Sequence, residues 1–158
     1  MIDLTELTAF IVRAKAATYV GDGGQLLPAR CGSHDLQFHD GPYAYADSYF
    51  GGADFLGQEV VYHRLRPVWA MNYHGYLVDP GRIDAATAGA VIKQALGAMY
   101  AEGRFLGGWT FAAQAPGGLT YVDQNVGGVD RFSGVEHIAG RDGARLYELR
   151  YHGGLIRA

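Results

Sequence analysis

The stretches GPYAYADSYFGGADF (residues 41–55) and GGLTYVDQNVGGVDRF (residues 117–132) decide the fold of this 158-residue chain, because one reads as a copy of the other. Gly41 matches Gly117, Tyr45 matches Tyr121, Asp47 matches Asp123, and Gly51, Gly52 and Asp54 match Gly127, Gly128 and Asp130, all 76 residues apart. After one inserted residue, Arg131, a second run falls in register: Phe55 with Phe132, Gly57 with Gly134, Glu59 with Glu136 and Arg64 with Arg141. A second insertion brings Tyr73-His74-Gly75 onto Tyr151-His152-Gly153, for 13 identities in all. Self-similarity at a fixed period marks a duplicated structural unit, and chance would supply only about one match in twenty positions.

Each stretch is preceded by a helical pattern. Asp3, with Glu6 three residues on, forms a capping box ahead of the apolar stripe Leu7, Phe10, Ile11 and Ala14. Pro80-Gly81 breaks the chain, Asp84 caps, and Val91, Ile92, Ala95, Leu96 and Met99 form a second stripe that Gly103 ends. Strands are expected over 35–39, 42–50, 55–63 and 67–75, then over 104–114, 118–126, 132–139 and 144–152, joined by short Gly- and Asp-rich turns. The expected fold is α+β in a single domain, 1–158. Two tandem repeats, about 1–80 and 81–158, each a helix plus four antiparallel strands, form a strongly curved sheet or a partly closed barrel with two helices.

Composition removes several functions. With 13 Lys and Arg against 16 Asp and Glu, the net charge is −3 and nothing attracts a phosphate backbone, so no nucleic acid is expected as a partner. The lone Cys31 forms no internal disulfide, and neither a signal peptide nor a membrane-spanning run is read, which points to the cytoplasm and no membrane partner. The sequence contains no phosphate-binding loop, complete dinucleotide fingerprint, nucleophile elbow or zinc-protease helix, so neither cofactor nor metal is expected. His74 and His152 recur together but in no recognised ligand spacing. The partner expected is a small molecule, and a homodimer is compatible with the composition.

Period-two geometry puts Tyr43, Tyr45, Asp47 and Tyr49 on one strand face. A hairpin across Gly51–Asp54 that sets Asp47 opposite Glu59 also sets Tyr45 opposite Val61, and Tyr121, Asp123 and Glu136 repeat the arrangement if Arg131 forms a bulge. Two neighbouring acids are unfavourable unless they share a proton, hold a cation or meet basic partners. Glu59 and Asp47 are therefore candidate acid–base groups, and a carboxylate among tyrosines is also a site for an amine, through ion pairing and cation–π contact. The competing reading is structural, with the acids satisfying turn NH groups or pairing with Arg64 and Arg141.

A second candidate lies where the halves differ, from Lys15 through Tyr19 to His34 and Asp35: His34 beside Asp35 is a candidate general base, and Lys15 or Tyr19 a holder of an anionic group. On the strand Trp69–His74, Trp69 faces one way with Met71 and Tyr73, and Asn72 the other with His74. Core packing is the expected role of the first three, with Trp69 and Asn72 also carried as candidate ligand contacts.

The runs from Ala14 to Tyr19, Gly32 to Leu36, Tyr45-Ala46-Asp47 with Gly51-Gly52, and Trp69 to Tyr73 resemble an uncharacterised bacterial family, a domain of unknown function often fused to XRE-type helix-turn-helix regulators. The resemblance implies no established activity and no catalytic residue. It implies an effector-sensing role in fused relatives, and with the first helical pattern opening at Asp3 this chain is expected to lack such a module, so that a regulator role would need a partner.

Three functions follow from these readings. The first is a small-molecule binding protein whose acidic and aromatic pocket suits an amine or an aromatic compound. The second is a cofactor-independent acid–base enzyme, an isomerase, lyase, cyclase or hydrolase of a small metabolite. The third is a protein-interaction module presenting Tyr and Trp on an exposed sheet face.

Overall fold

A computed structural model of the chain describes residues 2–21 and 27–157. Helix α1, Leu4–Lys15, starts at Asp3, whose Oδ1 accepts from the N–H groups of Thr5 at 2.8 Å and Glu6 at 3.3 Å. Only half of the expected capping box forms, because Glu6 instead accepts a long 3.4 Å contact from the Tyr43 hydroxyl. A single π turn, Ala16–Val20, extends α1. Helix α2, Ala85–Ala101, is capped by Asp84 Oδ1, which accepts from Thr87 N at 2.7 Å.

Eight strands form one sheet: β1 His34–Asp40, β2 Tyr43–Gly51, β3 Phe55–His63, β4 Arg66–Leu77, β5 Trp109–Ala112, β6 Thr120–Gly128, β7 Arg131–Ala139 and β8 Arg145–Leu155. Their order is β1-β2-β3-β4-β8-β7-β6-β5 and every pair is antiparallel. The sheet is open and the expected barrel does not close. Pairing β4 with β8 places β1 and β5 at opposite edges, and β5, with four residues, offers little ladder to a seven-residue β1.

Three local expectations are corrected. The strand expected over 104–114 shrinks to β5, because Gly107 and Gly108 take positive φ. Asn125 Oδ1 accepts from both of their N–H groups while Arg104 donates to the carbonyls of Leu106 and Gly108. The residue inserted before Phe132 makes no bulge: the β6–β7 ladder runs unbroken from Thr120 to Gly128, and the turn takes up the extra length. Arg64, with φ 49°, sits in the β3–β4 turn and pairs with no acid among the described residues, as does Arg141 in the β7–β8 connection.

The helices bury the sheet face that carries Tyr43, Tyr45, Val61, Trp69, Met71, Tyr121, Ile138 and Tyr147, and Phe10 of α1 stacks on Tyr43 at 5.0 Å. The other face has a polar middle, where Gln58 donates to Asn72 at 2.9 Å and Asn72 lies 3.4 Å from His152. Among the described residues, no helix is long and apolar enough to cross a membrane.

Candidate functional site

On the covered face, two hairpins each set an aspartate directly across from a glutamate: Asp47 opposite Glu59 on β2–β3, and Asp123 opposite Glu136 on β6–β7. None is left at the surface, with exposures of 5, 6, 3 and 7 % in that order. All four line one cavity of about 450 Å³ between the sheet and the helices. Aromatic and aliphatic side chains complete it, among them Phe55, Leu77, Ile92, Phe105 and Leu149. A buried carboxylate needs partners, and each here has some.

The Tyr73 hydroxyl donates to Asp47 Oδ1 at 2.7 Å, and the Tyr151 hydroxyl donates to Asp123 Oδ1 at 2.6 Å. Gly57 and Gly134 make both contacts possible. Gly57 is the ladder partner of Tyr73 and Gly134 of Tyr151, and a Cβ at either glycine would overlap the phenolic end of that tyrosine. Each ring therefore lies across a bare backbone and reaches a carboxylate two strands away.

Glu136 accepts from the hydroxyls of Tyr121 and Tyr147, the latter at 3.2 Å. Glu59 instead receives Lys15 Nζ on Oε1 at 2.6 Å. Lys15 reaches it from the last residue of α1, and the π turn that follows carries Tyr19 to the cavity wall. A π turn adds a residue to the helical repeat and so re-aims the side chains after it, a device frequent at functional sites.

Burial and mutual repulsion govern the protonation of these acids. Burial, then the charge of Glu59, pushes Asp47 up to about 7. Burial also lifts Glu136 to about 7, where the hydrogen bond from Tyr121 pulls down and the charge of Asp123 pushes up. Asp123 is raised mainly by burial. Desolvation likewise raises the tyrosines Tyr19, Tyr73, Tyr121, Tyr147 and Tyr151, so they remain hydroxyl donors. Two buried carboxylate oxygens, Glu59 Oε2 and Asp123 Oδ2, have no hydrogen-bond partner among the described residues. Among the described residues Lys15 is the only Lys or Arg lining the cavity, and no group of three His, Cys, Asp or Glu side chains could hold a metal ion.

The family model for a domain of unknown function, DUF5680, matches residues 47–156 of this sequence, more than two thirds of the chain. The chain belongs to the DUF5680 family. No curated protein and no solved structure matches it. The DUF5680 span opens at Asp47 and includes all four cavity acids together with Tyr73, Tyr147 and Tyr151, while Lys15, Tyr19 and His34 lie ahead of it.

Of the residues singled out from sequence, Lys15, Tyr19, His34, Asp47, Glu59, Tyr121, Asp123 and Glu136 line the cavity together. His34 lies at its exposed rim, stacked on Tyr49 at 4.9 Å. Asp35 does not orient His34: its Oδ2 accepts from Ala29 N at 2.9 Å and from the Ser33 hydroxyl at 2.5 Å, which latches the preceding loop. These bonds, that from Ser33 first, hold its carboxyl below the usual range. Residues 22–26, inside the Lys15-to-Asp35 stretch, lie outside the described residues. Tyr45 is buried beside the acids but not on the cavity wall, and Trp69 is a core residue whose Nε1 donates to the Val129 carbonyl at 3.0 Å. Asn72 belongs to the polar row on the opposite face.

The cavity also has members whose part in it carries no local sequence signal. Alternation along its strand predicts only core packing for Tyr73, and spacing predicts no site role for Tyr147 or Tyr151. Recurrence of Tyr73 at Tyr151 was the available signal, yet what each donates to depends on pairing two strands away.

Proposed function

We propose that this DUF5680 chain binds a small organic cation with an apolar body, an amine in the simplest case, in the cavity between helices and sheet. The observation that carries this reading is the imbalance of charge: four buried carboxyls and one lysine share the same walls. A bound cation would supply donors to Glu59 Oε2 and Asp123 Oδ2 and would meet tyrosine faces, which attract positive charge. Phe55, Leu77 and Ile92 would take the apolar part. A volume of about 450 Å³ suits a metabolite-sized ligand.

Thermal-shift measurements over a panel of alkyl, aryl and α,ω-diamines, each paired with its alcohol, test the proposal. Binding to the folded state alone raises stability by RT ln(1 + L/Kd), with L the free ligand concentration, so the shift grows with ligand concentration. Stabilisation by amines alone is expected. No shift by any amine, or equal shifts by the alcohols, would sink the idea.

A second reading, cofactor-independent acid–base catalysis, draws on Asp47 and Glu136, each pushed up to about 7 at the cavity wall. A carboxyl with that value gives and takes protons at neutral pH. Turnover of a bound amine or carbonyl compound, followed by NMR and abolished in both Asp47→Asn and Glu136→Gln, would favour it over simple binding. Unchanged ligand spectra over days would remove it.

The finer architecture belongs to the same proposal. The matching Asp47–Glu59 and Asp123–Glu136 ladder pairs support descent of the two halves from one duplicated unit. We propose a bacterial, cytoplasmic ligand-binding role, as the resemblance to domains fused to helix-turn-helix regulators implies. Structures of two separately expressed halves with unrelated chain paths would overturn the duplication.

A further inference from the structure

Of the 13 basic residues in the chain, two are lysines, Lys15 and Lys93. Lys93 is exposed on α2. Lys15 is 6 % exposed and lines the cavity. A guanidinium does not give up its proton, whereas a primary amine does and then becomes a nucleophile. The chain thus uses arginine almost everywhere and keeps an amine for its interior.

The surroundings of that amine suit proton transfer. Lys15 Nζ is 2.6 Å from Glu59 Oε1, an acceptor for its proton, and 5.9 Å from the centre of the Phe105 ring. Across the ladder from Glu59 stands Asp47, held by Tyr73, so a second carboxyl is at hand.

We propose that Lys15 is a nucleophilic amine that condenses with the carbonyl group of a small aldehyde or ketone admitted to the cavity, forming an imine. The Lys15 ammonium gives a proton to Glu59, and the free amine adds to the carbonyl carbon. The C–N bond forms as the C=O π bond opens, and a proton passes from nitrogen to oxygen to give a carbinolamine. Glu59 then returns its proton to the hydroxyl, the C–O bond breaks, and water leaves. The product is a protonated imine with the Glu59 carboxylate as its counter-ion. One carbonyl compound is consumed and one water is released, with no net change of protons and no oxidant.

This inference goes beyond the binding reading and stands apart from it, since the carbonyl compound need not be cationic. The test is reductive trapping of the full chain with sodium cyanoborohydride and either benzaldehyde or 4-formyl-N,N,N-trimethylanilinium, followed by mass spectrometry after cleavage at arginine. Lys93 is the internal control. Labelling of Lys15 is expected to outpace that of Lys93 by about tenfold or more, as for an activated nucleophile. Glu59→Gln should slow labelling at Lys15 and leave Lys93 unchanged. Labelling of Lys93 as fast as Lys15 in the unaltered protein overturns the imine, whatever the variant does. Preference for the cationic aldehyde supports the binding reading as well, whereas equal labelling of Lys15 by both aldehydes counts against that reading and leaves the imine standing.

Discussion

Lys15 and Glu59 form a salt bridge from which water is nearly excluded, with both side chains 7 % exposed. Such a pair is strong against loss of one member and weak against loss of both, because a lone buried charge has no compensation. Lys15→Met and Glu59→Leu should each destabilise by about 3–5 kcal/mol, and the double substitution by much less than their sum. Urea unfolding of the four proteins in the cycle measures this. Additive losses would mean that the two groups do not compensate each other.

The raised acids give stability a sign with pH. Asp47 and Glu136 titrate near 7 in the folded chain against ordinary values of 3.8 and 4.5. As pH rises from about 4 to 7, the unfolded chain has already released these protons while the folded chain holds them, so their contribution to stability falls and then levels off. His137, whose value burial lowers from 6.5, acts in the opposite sense over part of this window. The comparison is therefore between the parent and Glu136→Gln: the variant's free energy of unfolding should fall less between pH 5 and pH 8, by roughly 2–3 kcal/mol. Parallel curves would contradict the assignment.

Tyr73 and Tyr151 hold equivalent carboxylates and should behave alike on truncation. Tyr73→Phe removes the donor on Asp47, and Tyr151→Phe the donor on Asp123. Each should cost about 1–3 kcal/mol, the penalty for a buried acceptor left unpaired. Because the Tyr73 hydrogen bond lowers Asp47, its loss should move that group's titration to higher pH, measurable by carboxyl NMR.

Gly57 and Gly134 leave the space that the two tyrosine rings fill. Alanine at either position should destabilise by about 1–3 kcal/mol through overpacking. Pairing the substitution with loss of the ring, as in Gly57→Ala with Tyr73→Ala, should recover part of the penalty in thermal melts. Full additivity would indicate that ring and glycine do not meet.

Hairpin registers were legible in the sequence because they are local. The Gly51–Asp54 turn and strict alternation fix Asp47 opposite Glu59 and Tyr45 opposite Val61, as the ladder has them. Helix starts at Asp3 and Asp84 were legible for the same reason. The tyrosine donors were not, since Tyr151 reaches Asp123 across Gly134 and Tyr147 reaches Glu136 from β8, contacts set by strand order rather than spacing. A His-Asp dipeptide such as His34-Asp35 looked like an oriented base, but successive strand residues point to opposite faces, which sends His34 to the rim and Asp35 into its own loop. The structural alternative pairs the acids with Arg64 and Arg141, yet turn positions carry both away from the covered face, and a lysine from a helix takes that part for Glu59.

The most direct test of the acidic cavity as a cation site is calorimetric titration at pH 8 with 2-phenylethylamine and its neutral counterpart 2-phenylethanol, repeated on Asp123→Asn. The amine should bind, the alcohol should not, and the variant should lose about tenfold or more in affinity for the amine, near the loss expected for one charge-assisted hydrogen bond. Equal binding of amine and alcohol, or amine binding indifferent to Asp123, would contradict the account.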